Sequence, residues 1–312
     1  MNDEFLWTEI YRPKKIKDTI LPETLKSVFQ NFVDTNKVPN MILSGTSGVG
    51  KTTVAKAMLD ELDCDYIVIN GSLDGNISTL RNDIKDFASS VSFKKRKKYI
   101  ILDEADYLNP NSTQPALRNF MEEYSSNCGF ILTCNFKNRI ITPLHSRCTV
   151  IDFKIDKQQQ PKMAAMFMKR TETILTEQNI KYDRAVLAQV IQKYFPDWRR
   201  VLNELQRYSA TGAIDSGILA SMKDVSIREL VDHMKSKNFS EMRNWVYSNM
   251  DNDVQSMFRQ FYDNGNTYIT KNSIPCLILL ISKYQYQHAF AADPEINFMA
   301  FLVEIMVECE FV

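Results

Sequence analysis

Glycine is scarce in this chain, nine in 312 residues, and histidine scarcer still at three. The six cysteines (64, 128, 134, 148, 276 and 309) form no CxxC pair. These shortages argue against a zinc module and a disulfide scaffold, and the thiols read as buried residues of a reducing compartment. Neither sign of charge is in excess, with 38 basic against 38 acidic side chains. Any hold on nucleic acid must therefore come from a local patch. Long apolar runs are missing too. The longest, 274–281, contains Pro275 and falls well short of the ~20 residues that span a bilayer. The opening MNDEFLWTEIYRP has charges where a secretory signal needs an apolar core. The expectation is a soluble, cytoplasmic protein with no membrane contact.

An apolar content of 44% with 24% charged residues is that of a folded globular chain, not a disordered or collagen-like one. The length allows one large domain or two to three smaller ones. In the first half, short apolar runs at 41–44, 66–70, 99–103, 130–134 and 149–153 alternate with helical patterns at 52–61, 79–90 and 114–124. Runs that are continuous and β-branched suit strands buried on both faces. Their alternation with helices predicts a parallel, helix-covered, five-stranded α/β sheet, with its ligand site at the carboxyl ends of the strands. From residue 162 onward every long segment has helical periodicity. A polar, proline-containing stretch at 154–162 and a weaker break at 211–217 predict three parts: an α/β domain over 1–155, a small helical domain over 156–217 and a terminal all-α domain over 218–312.

Three of the nine glycines, Gly45, Gly48 and Gly50, fall within GTSGVGKT (45–52), a complete GxxxxGK[ST] between an apolar run and a helix. Backbone N–H groups of such a loop curl around phosphate oxygens, and the helix N-terminus adds a favourable dipole. Lys51 is expected to reach the β- and γ-phosphates and the Thr52 hydroxyl to ligate Mg²⁺, with Val49 and Thr53 completing the loop. ATP and Mg²⁺ are the expected ligands. Further on, YIILDEAD (99–106) is a strand ending in carboxylates. Asp103 would hold the Mg²⁺ shell and Glu104 would polarise the attacking water as general base. The letters DEAD also fit a helicase, but that requires a second strand-rich lobe, which the helical remainder does not offer. Asn135 ends FILTCN (130–135); in a parallel sheet it falls beside the end of the Asp103 strand, near the γ-phosphate.

TEIYRP (8–13), GTSGVGKTT, ILDEAD, ALRNFMEEYS (116–125), LTCN, HSRC (145–148) and PDWRRVLNELQ (196–206) stand in one order. Over the first ~205 residues this set resembles the AAA+ ATPase subunits of sliding-clamp loaders, most of all those of T-even-type phages, with replication factor C small subunits as the near alternative. The resemblance implies an AAA+ module, a helical lid and a C-terminal collar that holds a ring together. It implies that Arg147 acts in trans, as an arginine finger in the neighbour's ATP site, and that Arg199 contacts the γ-phosphate from the lid. It also implies that Glu9, Ile10, Tyr11 and Ile20 wall the adenine. A polar residue after the second strand, Asn70 or Asn76, would relay DNA contact to Glu104.

Arg81 and Lys85 lie four apart on a predicted helix, and the resemblance implies that this helix tracks DNA phosphates. Gln114 and Arg118, also four apart, would couple the ATP site to DNA. KKRKK (94–98), just before a strand, reads as a solvated loop. The implied partners are copies of the same chain, a distinct loader subunit, a sliding clamp and primer–template DNA, in the host cytoplasm if the chain is phage-encoded. Two alternatives stay open: another AAA+ DNA-processing machine (a branch-migration motor or replication initiator), and a ring subunit that binds nucleotide without hydrolysing it.

Overall fold

The computed structural model describes residues 5–73, 77–90, 96–210, 212–221, 227–249, 254–288 and 290–312. Two compact units emerge, Met1–Leu219 and Ala220–Val312.

The first unit opens with α1 (Trp7–Ile10) and α2 (Glu23–Thr35), followed by β1 (Met41–Ser44), α3 (Lys51–Glu61), β2 (Tyr66–Asn70), α4 (Ile77–Ser89) and β3 (Lys98–Asp103). Next come α5 (Thr113–Glu123), β4 (Cys128–Cys134), α6 (Thr142–His145) and β5 (Thr149–Asp152). The five strands form one parallel sheet in the order β2-β3-β4-β1-β5. Side chains alternate across it, as the two-residue strand period requires. Met41, Leu43, Tyr99, Ile101 and Ile131 pack with Phe29, Val54 and Met58 on one face. Ile42, Ile100, Leu102, Phe130 and Leu132 pack with Leu80, Ile84, Leu117 and Met121 on the other. Burial on both faces is why the inner strands β1, β3 and β4 read as apolar runs, whereas the edge strands β2 and β5 are partly exposed.

Register sets the site. Leu102 pairs with Leu132, while Leu43 pairs with Thr133 and Ser44 with Cys134. The loop after β1 and the carboxylates after β3 therefore flank the end of β4, where Thr133 and Asn135 stand.

The rest of the first unit contains α7 (Gln160–Glu177), β6 (Lys181–Tyr182), α8 (Arg184–Tyr194), α9 (Trp198–Ser209) and β7 (Ala213–Ile214), and α10 (Ser216–Ser221) begins at its end. Asp183 and Asp197 cap α8 and α9, accepting from the backbone N–H of Ala185 (2.7 Å) and Arg200 (3.0 Å). The small parallel β6–β7 pair departs from the all-helical reading of this region. Two-residue strands are too short to leave a period-two signature.

The basic run before β3 is corrected at its last member. Lys98 is only 3% exposed; its ammonium donates to the carbonyls of Phe87 and Ser90 and to Ser90 Oγ (2.8 Å), closing the end of α4. Lys94 and Lys95 lie outside the described residues.

The second unit holds α11 (Ile227–Lys235), α12 (Phe239–Asn249), α13 (Val254–Tyr268), α14 (Ile274–His288) and α15 (Pro294–Glu308). Its core is an aromatic cluster in which Phe258, Phe261, Phe298 and Phe301 pack edge-on or tilted, with Tyr284 against Phe301. These aromatics are core residues, whereas Tyr262 and Tyr286 are exposed. No helix among the described residues is long and apolar enough to cross a membrane.

Candidate nucleotide-binding site

The loop between β1 and α3 can exist only with glycine at its turning points. Gly48 and Gly50 have φ of +73° and +95°, and a Cβ on Gly48 would stand 1.8 Å from Asp197 Oδ1. A Cβ on Gly45 would meet Phe153 Cβ at 2.9 Å. The loop thus forms a tight cradle against β5 and the start of α9, where Trp198 N–H donates to the Gly48 carbonyl (3.2 Å).

Lys51 is 8% exposed. Its ammonium donates to the carbonyls of Gly45 (2.7 Å) and Thr46 (2.9 Å) and to Asn135 Oδ1 (2.9 Å). Burial pushes its pKa below the ordinary lysine value and Arg199 acts in the same direction, while Cys134, Asp103 and Asp106 oppose. The Thr52 hydroxyl donates to Asp103 Oδ1 at 2.6 Å. Thr133 Oγ1 donates to that same carboxylate oxygen and accepts from Glu104 N–H (3.1 Å). Glu104 itself adopts a left-handed conformation, φ 56°. Asp106 Oδ2 accepts from the N–H groups of Asn135 (3.2 Å) and Phe136 (3.1 Å), which fixes the turn that presents Asn135.

A single cavity is lined by Val49, Gly50, Lys51, Thr52, Thr53, Asp103, Glu104 and Asn135, by Tyr11 and Ile20 from the N-terminal segment, and by Arg199 of the lid. The expected set therefore converges except for Gly45, which turns against Phe153, and two residues of the segment 8–13. Helical spacing turns Thr8 and Tyr11 to the cavity, with Arg12 beside them, and leaves Glu9 and Ile10 off its wall. Glu9 pairs instead with the Arg12 guanidinium, and Ile10 is exposed. Arg199 is exposed on the cavity wall, without an ion pair among the described residues.

Several contributors carry no motif of their own. Arg170 of α7 lines the cavity and donates to the Tyr11 carbonyl, while Gln178 donates to the Tyr11 hydroxyl (2.7 Å). Gln206 of α9 accepts from Trp7 N–H (2.9 Å) and donates to the Phe5 carbonyl (2.8 Å). The segment bearing Tyr11 is thereby fastened to two lid helices. Thr133, Asp106 and Arg12 sat inside motifs already quoted, LTCN, DEAD and YRP, and spacing was the signal for them. Gln206 closed the quoted PDWRRVLNELQ without a role assigned to it, and Arg170 lay in no motif.

Outside the cavity, Gln114 is fully buried. It donates to the carbonyls of Leu108 (2.9 Å) and Arg139 (3.0 Å) and accepts from Ile141 N–H (2.9 Å). Arg118, one turn on, is half-exposed beside Glu122. Arg81 and Lys85 are exposed on α4, without ion pairs among the described residues, while Leu80, Ile84 and Ala88 bury its other face. Asn70 Oδ1 accepts from Ser72 N–H and Oγ; Asn76 lies outside the described residues. Arg147 is held by Glu122 and the Pro143 carbonyl.

A glycine cradle at a helix N-terminus, a buried lysine, a hydroxyl–carboxylate pair and a polar strand end define a P-loop ATPase site. Residues 41–155 match the ATPase family associated with various cellular activities (AAA), and residues 158–220 match the AAA+ ATPase lid domain of the sliding-clamp-loader large subunit. The sliding-clamp-loader large subunit of Enterobacteria phage T4 is 32% identical over 99% of this chain and 98% of that protein. Its counterpart in Escherichia phage RB69 is 32% identical over 98% and 97%. A replication factor C small subunit of Thermofilum pendens is 29% identical over 97% and 96%. A solved variant of Thermotoga maritima RuvB shares the fold, with a TM-score of 0.54 at 17% identity over 72% of this chain and 78% of that one. The chain belongs to the sliding-clamp-loader large-subunit family of AAA+ ATPases.

Proposed function

We propose that this ATPase works as one subunit of a ring that opens a sliding clamp and loads it onto primer–template DNA, with clamp and DNA stimulating hydrolysis. The observation that supports it most is the full-length likeness to phage sliding-clamp-loader large subunits, joined to the convergence of Lys51, Thr52, Asp103 and Asn135 at one strand edge. In this reading residues 1–155 form the nucleotide-binding domain, 156–217 the lid and 218–312 a collar for assembly with further copies and a distinct subunit.

The roles follow from chemistry. Backbone N–H groups of 45–50 and the α3 N-terminus take the phosphates. Lys51 and Asn135 face the transferring group, and Arg199 approaches it from the lid. Thr52 and Asp103 would hold Mg²⁺, since hydroxyl and carboxylate oxygens fit that hard cation. When bound, Mg²⁺ supplies neutralisation of the phosphate charge. Glu104 takes the proton of the attacking water, and Thr133 keeps it and Asp103 in register. Tyr11 and Ile20 pack on the base. Arg147 completes the neighbour's site, a contribution worth roughly 10³–10⁵ in turnover. Arg81 and Lys85 hold DNA phosphates without reading sequence, and Gln114 and Arg118 couple the two sites.

The test is ATP turnover of the assembled complex with and without clamp and primed DNA. Stimulation by both is expected; its absence would remove the loading role and leave the ATPase.

A further inference from the structure

Arg147 is engaged within the subunit that carries it. Its Nε and one terminal nitrogen donate to Glu122 Oε1 at 2.8 and 2.5 Å, and the other terminal nitrogen donates to the Pro143 carbonyl at 2.9 Å. Glu122 lies on α5, one turn after Arg118, whose Nε is 3.9 Å from the same oxygen, and two turns after Gln114. Positions 114, 118 and 122 recur every four residues and so share one edge of the helix. At one end of that edge, Gln114 ties together the loops that follow the Asp103 and Asn135 strands. At the other end, Glu122 holds Arg147. One helix therefore runs from the loops that follow the Asp103 and Asn135 strands to the arginine that the chain offers a neighbour.

We infer that Glu122 is the resting seat of Arg147, a positioning residue that keeps the guanidinium docked at home until a neighbour's triphosphate competes for it. This rests on the reading of Arg147 as a finger acting in trans. Carboxylates and phosphates are the two acceptor classes that fit the guanidinium fork, and the same N–H groups cannot serve both. The carboxyl of Glu122 is held below the usual carboxylate range by hydrogen bonds from Arg147 and by its charge, so the seat is ionised at neutral pH. Both side chains are partly exposed, 54% for Glu122 and 29% for Arg147, and such pairs are weak. A weak seat suits a contact that must be surrendered in every cycle, and losing it should matter by about three- to fivefold, not by orders of magnitude.

The experiment measures ATP turnover of the assembled ring, without clamp or DNA, for wild type, Glu122→Gln, Glu122→Asp, Arg147→Ala and the Glu122→Gln/Arg147→Ala double variant. Glu122→Gln should raise this unstimulated turnover about three- to fivefold at unchanged KM for ATP. Glu122→Asp, which keeps the carboxylate, should retain the low rate, and the Glu122→Gln gain should vanish in the Arg147→Ala background. An unchanged or lowered rate for Glu122→Gln overturns the seat, as does an equal gain in the Arg147→Ala background. The Arg147→Ala single variant separates the two readings: wild-type turnover there defeats the finger itself, whatever Glu122→Gln does.

Discussion

Asp103 and Glu104 are adjacent carboxylates that need opposite treatment. On the proposed reading, one must be pinned to hold a cation and the other must stay free to accept a proton. Thr133 serves both, donating to Asp103 and receiving the backbone N–H of Glu104, whose φ of 56° breaks the strand alternation at that point. Thr133→Val keeps the shape and removes the hydroxyl. It should lower turnover about tenfold and raise the Mg²⁺ concentration for half-maximal rate, checked by titrating Mg²⁺ at saturating ATP. Glu104→Gln should leave nucleotide binding intact, measured by equilibrium titration, while turnover falls by about 10² or more. A variant that bound ATP poorly would place Glu104 in binding and not in proton transfer.

At the scale of elements, α4 combines a buried edge, an exposed basic edge and an unusual ending. Lys98 satisfies carbonyls at its C-terminus from inside the fold. Lys98→Met should therefore destabilise the protein by about 1–3 kcal/mol, read as a lowered unfolding midpoint in urea. Arg81→Ala and Lys85→Ala should leave stability alone, weaken DNA binding equally across sequences, and each reduce the salt dependence by about one phosphate contact. These elements also mark where sequence reading worked. The run 41–44 was legible because Met41, Ile42 and Leu43 are buried on both faces of the sheet, and the part-exposed edge run 66–70 because of its β-branched Ile67, Val68 and Ile69. β4 begins earlier than its apolar run, at Cys128, because Gly129 lies within it. That glycine is required where a Cβ would stand 2.5 Å from the Tyr99 ring, yet glycine argues locally against a strand. Lys98 was read as solvated because a charge run looks the same whether or not its last member turns inward. The Arg147–Glu122 pair joins residues 25 positions apart, and no local pattern records such a contact.

On the scale of the whole molecule, the cavity gathers side chains from the N-terminal segment, the phosphate loop, the ends of β3 and β4 and the lid, all inside the first unit. Lys51, Thr52, Asp103 and Glu104 of that cavity were readable from type and spacing, and Tyr11, Ile20 and Arg199 only from the family resemblance. The lid fastenings through Arg170, Gln178 and Gln206 were not, because they depend on how α7 and α9 lie against Tyr11 and Trp7. What one chain lacks, on the proposed reading, is the second half of its catalytic apparatus, Arg147 of a neighbour. The most direct test is ATP turnover by the isolated chain, at a concentration where sizing shows single molecules, set against turnover by the assembled ring with clamp and primed DNA. The isolated chain should be slower by roughly 10³-fold or more. If solitary chains hydrolyse ATP as fast as the ring, the site is complete within one subunit, and the shared-site mechanism is wrong.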